Sequence, residues 1–152
     1  MPGSKPVNAL PFLSMGLALA LIPLALSVLG LPRLLARFDA DGKVLHGPGV
    51  RPPPAESVER AQLLALYADF WLRCLRLRNP CLRRSLVLFK RLRRYGLPVT
   101  FYLGIHRDGA TAGGDLVRGH AWLELDGQVI LEPAAAITAQ VRTFCYPPPA
   151  SP

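Results

Sequence analysis

The sequence predicts an α+β fold in which a helix with a cysteine in its first turn packs on a small antiparallel sheet, behind an apolar helical segment. Three observations lead there. The stretch from Ala9 to Pro32 carries no charge. Apolar residues then recur at three- and four-residue steps through two further segments, the spacing of amphipathic helices. After Pro98 the pattern changes to branched and aromatic residues interrupted by Gly-rich turns, the signature of strands and hairpins.

With 152 residues the chain is one domain's worth. Hydrophobic residues make up 51% and mean hydropathy is +0.26, with the apolar excess concentrated between Ala9 and Leu31. A net charge of +8 attracts polyanions, acidic membrane surfaces and acidic peptides without choosing among them. The three cysteines, Cys74, Cys81 and Cys145, are odd in number and form no C-x-x-C pair, which argues against a disulfide framework or a zinc site.

The first expected unit is residues 1–38, an apolar helical segment long enough to cross a bilayer, for which about 20 residues suffice. Pro23 in its middle, with Pro11, Gly16 and Gly30, equally suits helices packed on the core or lying at an interface. Only Lys5 precedes the apolar run and no clear small-x-small cleavage site precedes Pro32, which disfavours a cleaved signal peptide. If the segment spans, Arg33 and Arg37 after it place the remainder in the cytoplasm, attached to the inner face of the plasma membrane.

Residues 39–55 (DADGKVLHGPGVRPPPA) are rich in Gly and Pro and are expected to be an irregular linker, with the folded module, residues 56–146, beginning after it. From Glu56 to Arg78 a helix is expected, its apolar face made by Val58, Leu63, Leu66, Tyr67, Phe70, Trp71, Cys74 and Leu77. Asn79-Pro80, a polar N-cap candidate followed by proline, opens the next helix, which Gly96 and Pro98 close. Cys81 thus lies in its first turn. VTFYLGIHR then reads as a strand, DGATAGGD as a Gly-rich loop, and RGHAWLELDGQVILE as strand, Asp-Gly turn and strand. Residues 147–152 are expected to be a disordered tail.

The chemistry rests on Cys81. A thiol becomes a nucleophile when ionised, and the unpaired N–H groups and dipole at a helix N-terminus favour the anion. The same N–H groups can receive the oxyanion formed when a thiolate attacks an amide. Of the three histidines, His120 sits inside a strand that can hold an imidazole against the helix start, as a general base requires. Glu132, 12 positions on and at the end of the next strand, is the candidate orienting carboxylate, whereas Asp126 lies at the turn. Each residue alone has a plainer reading: a buried cysteine, a core histidine, a solvated strand end.

The combination is more specific. Cys81, Leu82, Ser85 and Leu86, then Leu92, Arg93, Arg94, Gly96 and Pro98, then Gly104 and Ile105, then His120, Ala121, Trp122, Asp126 and Gly127 stand in the order seen in lasso-peptide maturation proteases. From Ala61 to Pro133 the chain resembles the C-terminal domain of this microcin-J processing protein family, within the transglutaminase-like superfamily. The resemblance implies a transglutaminase-like, papain-like cysteine peptidase fold with Cys81 as nucleophile and His120 as base. The family's third residue, an aspartate, aligns with Glu132. It further implies removal of the leader from a ribosomally made precursor, without a cofactor, together with a separate leader-recognition protein and an ATP-dependent macrolactam synthetase.

Two other readings keep the same residues: acyl transfer to an amine instead of water, and a non-catalytic peptide-binding scaffold. The basic residues Arg83, Arg84, Lys90, Arg91, Arg93 and Arg94 are expected to form a solvated face, or else a dock for an acidic leader. Nucleic-acid binding is disfavoured, because the same helix carries a core-like stripe of Leu82, Leu86, Phe89 and Leu92 and no reader motif accompanies it.

Overall fold

The structure, a computed structural model, describes residues 9–46, 54–108 and 116–148. Among these residues nine elements follow one another: α1 (Ala9–Leu29), α2 (Leu31–His46), α3 (Pro54–Leu75), α4 (Pro80–Arg94), β1 (Val99–Asp108), β2 (Leu116–Leu125), β3 (Gln128–Ile130), α5 (Ala134–Thr138) and β4 (Val141–Tyr146). This is an α+β architecture with a four-stranded sheet of order β3-β2-β1-β4, every neighbouring pair antiparallel. The Asp-Gly turn between β2 and β3 has positive φ at both Asp126 and Gly127, as tight hairpins demand. The Gly-rich loop (109–115), most of the Gly/Pro stretch (47–53) and the end of the tail (149–152) lie outside the described residues.

α4 is the central helix, touching α1, α2, α3, β1 and β2. Leu86, Phe89 and Leu92 are fully buried, against Val99, Phe101, Ala121 and Leu123 from the sheet and the inner faces of the other helices. The stripe expected on α4 is therefore its core face, with Leu82 partly buried at the near end.

Four expectations about the helices are corrected. The module does not begin at residue 56: Met15, Leu19 and Ile22 of α1 and Leu34, Leu35 and Phe38 of α2 are buried in the same core as α4. α1 survives Pro23 because the carbonyl that proline leaves without its helical partner, Leu19 O, accepts from the Arg83 guanidinium at 3.4 Å. Nor is the chain irregular from Asp39. α2 runs on to His46, and its Gly42 lies where a Cβ would stand 2.8 Å from the Arg93 carbonyl. That glycine permits close packing of α2 on α4; it does not break the helix.

The third correction concerns α3. Its buried face is Ala61, Leu64, Ala65, Ala68 and Leu72, whereas Val58, Leu63, Leu66 and Phe70 are exposed, as is Cys74. Of the expected face only Tyr67 is buried, with Trp71 and Leu77 partly so. The alanines let the helices approach closely, and burying them selects a face that a count of large apolar residues passes over.

The basic run on α4 is turned largely inward, contrary to the solvated face expected. Arg93 pairs with buried Asp39 at 3.1 Å, Arg91 donates to Ser14 Oγ at 2.6 Å, and Lys90 lies over the Phe38 ring. Burial holds the Lys90 ammonium and the Arg91 guanidinium below their ordinary pKa values. These cations join α4 to the N-terminal helices.

Candidate active site

Cys81 is the second residue of α4, after Pro80, whose missing N–H costs nothing at this position. Asn79, just before Pro80, is in the left-handed conformation (φ 52°) and makes no side-chain cap, contrary to the expected capping role; its carbonyl accepts the first helical bond, from Arg83 N–H, at 3.3 Å. The first-turn N–H groups are thus not occupied by a capping side chain.

One turn further, Ser85 fixes this helix start against the sheet. Its buried hydroxyl donates to the carbonyl of Ala121 at 2.9 Å, the residue directly after His120. Ser85 lies four positions from Cys81, on the same side of the helix. One hydrogen bond therefore ties the helix of the cysteine to the strand of the histidine.

His120 occupies β2 opposite Gly104 of β1. Its ring stacks on Trp122 (centroids 6.2 Å apart, planes 15°), and Trp122 in turn stacks on Tyr102 (5.5 Å, 12°). The Trp122 indole N–H donates to Glu124 at 3.0 Å, and Arg142 of β4 closes the row on the same carboxylate at 2.6 Å. Burial and the Glu124 charge raise the Tyr102 pKa, so this phenol stays protonated in its stack. Gly104 belongs to this device, since a Cβ there would stand 2.8 Å from the Trp122 ring. Gly104→Ala should displace Trp122 and cost about 1–3 kcal/mol, read by urea denaturation.

Glu132 follows β3. Leu131, in the left-handed conformation (φ 65°), turns the chain so that Glu132 Oε2 meets His120 Nε2 at 2.6 Å. The other oxygen, Oε1, lies 3.5 Å from Arg84 Nη1. Arg84 is itself clamped by Asp69 of α3 (Nε to Oδ1, 2.6 Å) and donates to the Leu131 carbonyl at 3.3 Å. Neither Arg84 nor Asp69 was singled out for such a role from sequence; a guanidinium three residues past the cysteine, on the adjoining side of the same helix, was the available signal.

Cys81, Arg84, Asp69, Leu131 and Glu132 line one open cleft with Leu72, Arg73, Pro80 and Pro133. Of the three residues expected from sequence, His120 and Glu132 are joined directly, and Cys81 and Glu132 line the same cleft. Cys81 is half-buried and forms no disulfide, as is the case for Cys145 on β4. Among the described residues no cluster of three or more His, Cys, Asp and Glu side chains is arranged to hold a metal.

No curated protein and no solved structure matches this chain. A family model, the transglutaminase-like superfamily, matches residues 18–143, from inside α1 to the middle of β4. That span covers the cysteine-bearing helix start, the histidine strand and the carboxylate after the hairpin, and with it the chain belongs to the transglutaminase-like superfamily.

Proposed function

We propose that this chain is a cysteine peptidase that removes the leader from a ribosomally made precursor during lasso-peptide maturation. The observation that carries the reading is the 2.6 Å contact of His120 Nε2 with Glu132 beside the cleft that Cys81 lines. With Nε2 held by the carboxylate, Nδ1 is the nitrogen left to exchange a proton with the thiol. The Cys81 thiol gives its proton to His120, and the thiolate attacks the scissile carbonyl. First-turn N–H groups of α4 receive the oxyanion. His120 then protonates the departing amine, and water attacks the thioester to release the acid and regenerate the thiol. The core peptide leaves with a free amine, which a macrolactam synthetase can join into a ring.

The family resemblance in the Cys81–Ile105 and His120–Gly127 stretches supports the lasso-peptide assignment. A separate leader-recognition protein presents the substrate, in the cytoplasm at the inner face of the plasma membrane. The basic run of α4 is a poor dock for an acidic leader, because its cations are engaged with α1, α2 and α3.

Mass spectrometry of a precursor incubated with the chain and its recognition partner tests the reading. Hydrolysed leader supports it, and a leader transferred to an amine selects the transamidating alternative. Arg84 supplies a finer check. Arg84→Met should lower kcat about tenfold or more with little change in KM, as loss of a group that positions the Glu132 carboxylate would, and Arg84→Lys should recover part of it. An unchanged kcat for Arg84→Met would remove Arg84 from the mechanism.

A further inference from the structure

We propose that the outer face of α1, extended by the outer stripe of α3, docks this domain flat on the surface of an anionic lipid bilayer. Leu10, Leu13, Leu17, Leu21, Leu24 and Val28 are all more than half exposed. Their steps of three and four residues put them on one side of α1, opposite buried Met15, Leu19 and Ile22. At 1.5 Å per residue the stripe is about 27 Å long.

It does not end at α1. Phe12 packs on Phe70 of α3 (centroids 5.2 Å), and Phe70, Leu66 and Leu63 are themselves exposed. Nine exposed large apolar side chains gathered on two neighbouring helices contrast with the singly scattered ones usual on a monomer's surface, and such clustering marks an interaction face.

The inner contacts of α1 decide its orientation. It is long and apolar enough to cross a membrane, with a mean hydropathy of 2.3 from Leu10 to Leu29. Crossing would carry the guanidinium of Arg83, bonded to Leu19 O, and that of Arg91, bonded to Ser14, into hydrocarbon. Docking flat leaves both in place and covers the outer leucines.

Charge selects the occupant. The chain carries +8, and Arg33 and Arg37 are exposed on α2 just beyond the stripe. Two copies would bring like charges together, whereas acidic headgroups attract them.

The test is co-sedimentation of the full chain with vesicles of phosphatidylglycerol and of phosphatidylcholine. Binding should favour phosphatidylglycerol, weaken with salt, and fall about tenfold or more in Leu17→Glu/Leu21→Glu, a variant that keeps the wild-type circular dichroism because both sites face outward. In a Cys74→Ser background, cysteines placed at Leu10 and Val28 should both lose reactivity toward a water-soluble maleimide when anionic vesicles are added, and neither should become reachable from the vesicle lumen. The proposal is overturned if wild type ignores both lipids, if the Glu variant binds unchanged, or if either cysteine keeps its reactivity with vesicles present or becomes reachable from the lumen. It is equally overturned if wild type is a lipid-indifferent dimer that the Glu variant splits. Since α1 lies outside the cleft, loss of vesicle binding with retained leader cleavage separates this proposal from the peptidase reading.

Discussion

Cys81→Ala should abolish leader cleavage, lowering turnover by about 10⁴- to 10⁶-fold while peptide binding persists. The loss is large because the proposed mechanism passes through an acyl intermediate on the Cys81 sulfur, and direct attack by water would lack that covalent route. Glu132→Gln should be milder, at roughly 10²- to 10⁴-fold, since an amide can still contact Nε2 but cannot offset the imidazolium charge. The order of the two losses is informative. Equal losses would mean that the carboxylate is needed to form the nucleophile at all, and a silent Glu132→Gln would leave His120 with another orienting partner. If Cys81→Ala binds the precursor and wild type also fails to cut it, the domain is a peptide-binding scaffold. Mass spectrometry of the products, with binding followed by anisotropy of a labelled precursor, reads all of these.

The parts of this site that were legible in the sequence share one property: each is set by local chemistry. Asn79-Pro80 marks a helix start whatever the fold around it, so Cys81 could be placed in a first turn before any contact was known. The Asp126-Gly127 turn fixes the hairpin, and with it the return of Glu132 toward His120. The supports of the site were not legible. Arg84 of α4 reaches Asp69 of α3 and the Leu131 carbonyl across 47 positions, and Trp122 is linked to Arg142 through Glu124 and through the Tyr102 ring. Such contacts exist only once the strands and helices are packed.

The same limit explains α3 and the end of the chain. An amphipathic reading favours large side chains, but α3 buries alanines because α4 and α1 approach it closely, leaving Leu63, Leu66 and Phe70 outside. β4, Val141–Tyr146, has three exposed residues and gains its strand state from pairing with β1 across a register shift at Gly104, which no local pattern announces.

The N-terminal helix gives the sharpest separation between a detachable anchor and a core element. A chain lacking residues 1–30 should fail to fold, with loss of cooperative urea unfolding and of leader cleavage together. Met15, Leu19 and Ile22 are buried at 0%, 0% and 3% exposure, and burial of each such side chain is worth about 2 kcal/mol or more. Removing α1 also deletes the partners of Trp71 Nε1 (Phe12 O, 2.9 Å) and Arg91 (Ser14 Oγ), leaving a part-buried indole and a part-buried cation without those bonds. Together these losses are comparable with the whole net stability of a domain, roughly 5–15 kcal/mol. Point substitutions sort the two faces without truncation. Met15→Ala should cost about 2–5 kcal/mol, while Leu17→Gln, two residues away on the outer face, should change stability by no more than about 0.5 kcal/mol. A truncated chain that unfolds cooperatively and still cleaves would make α1 an appendage. Equal tolerance of Met15→Ala and Leu17→Gln would mean that its inner face is not packed as described.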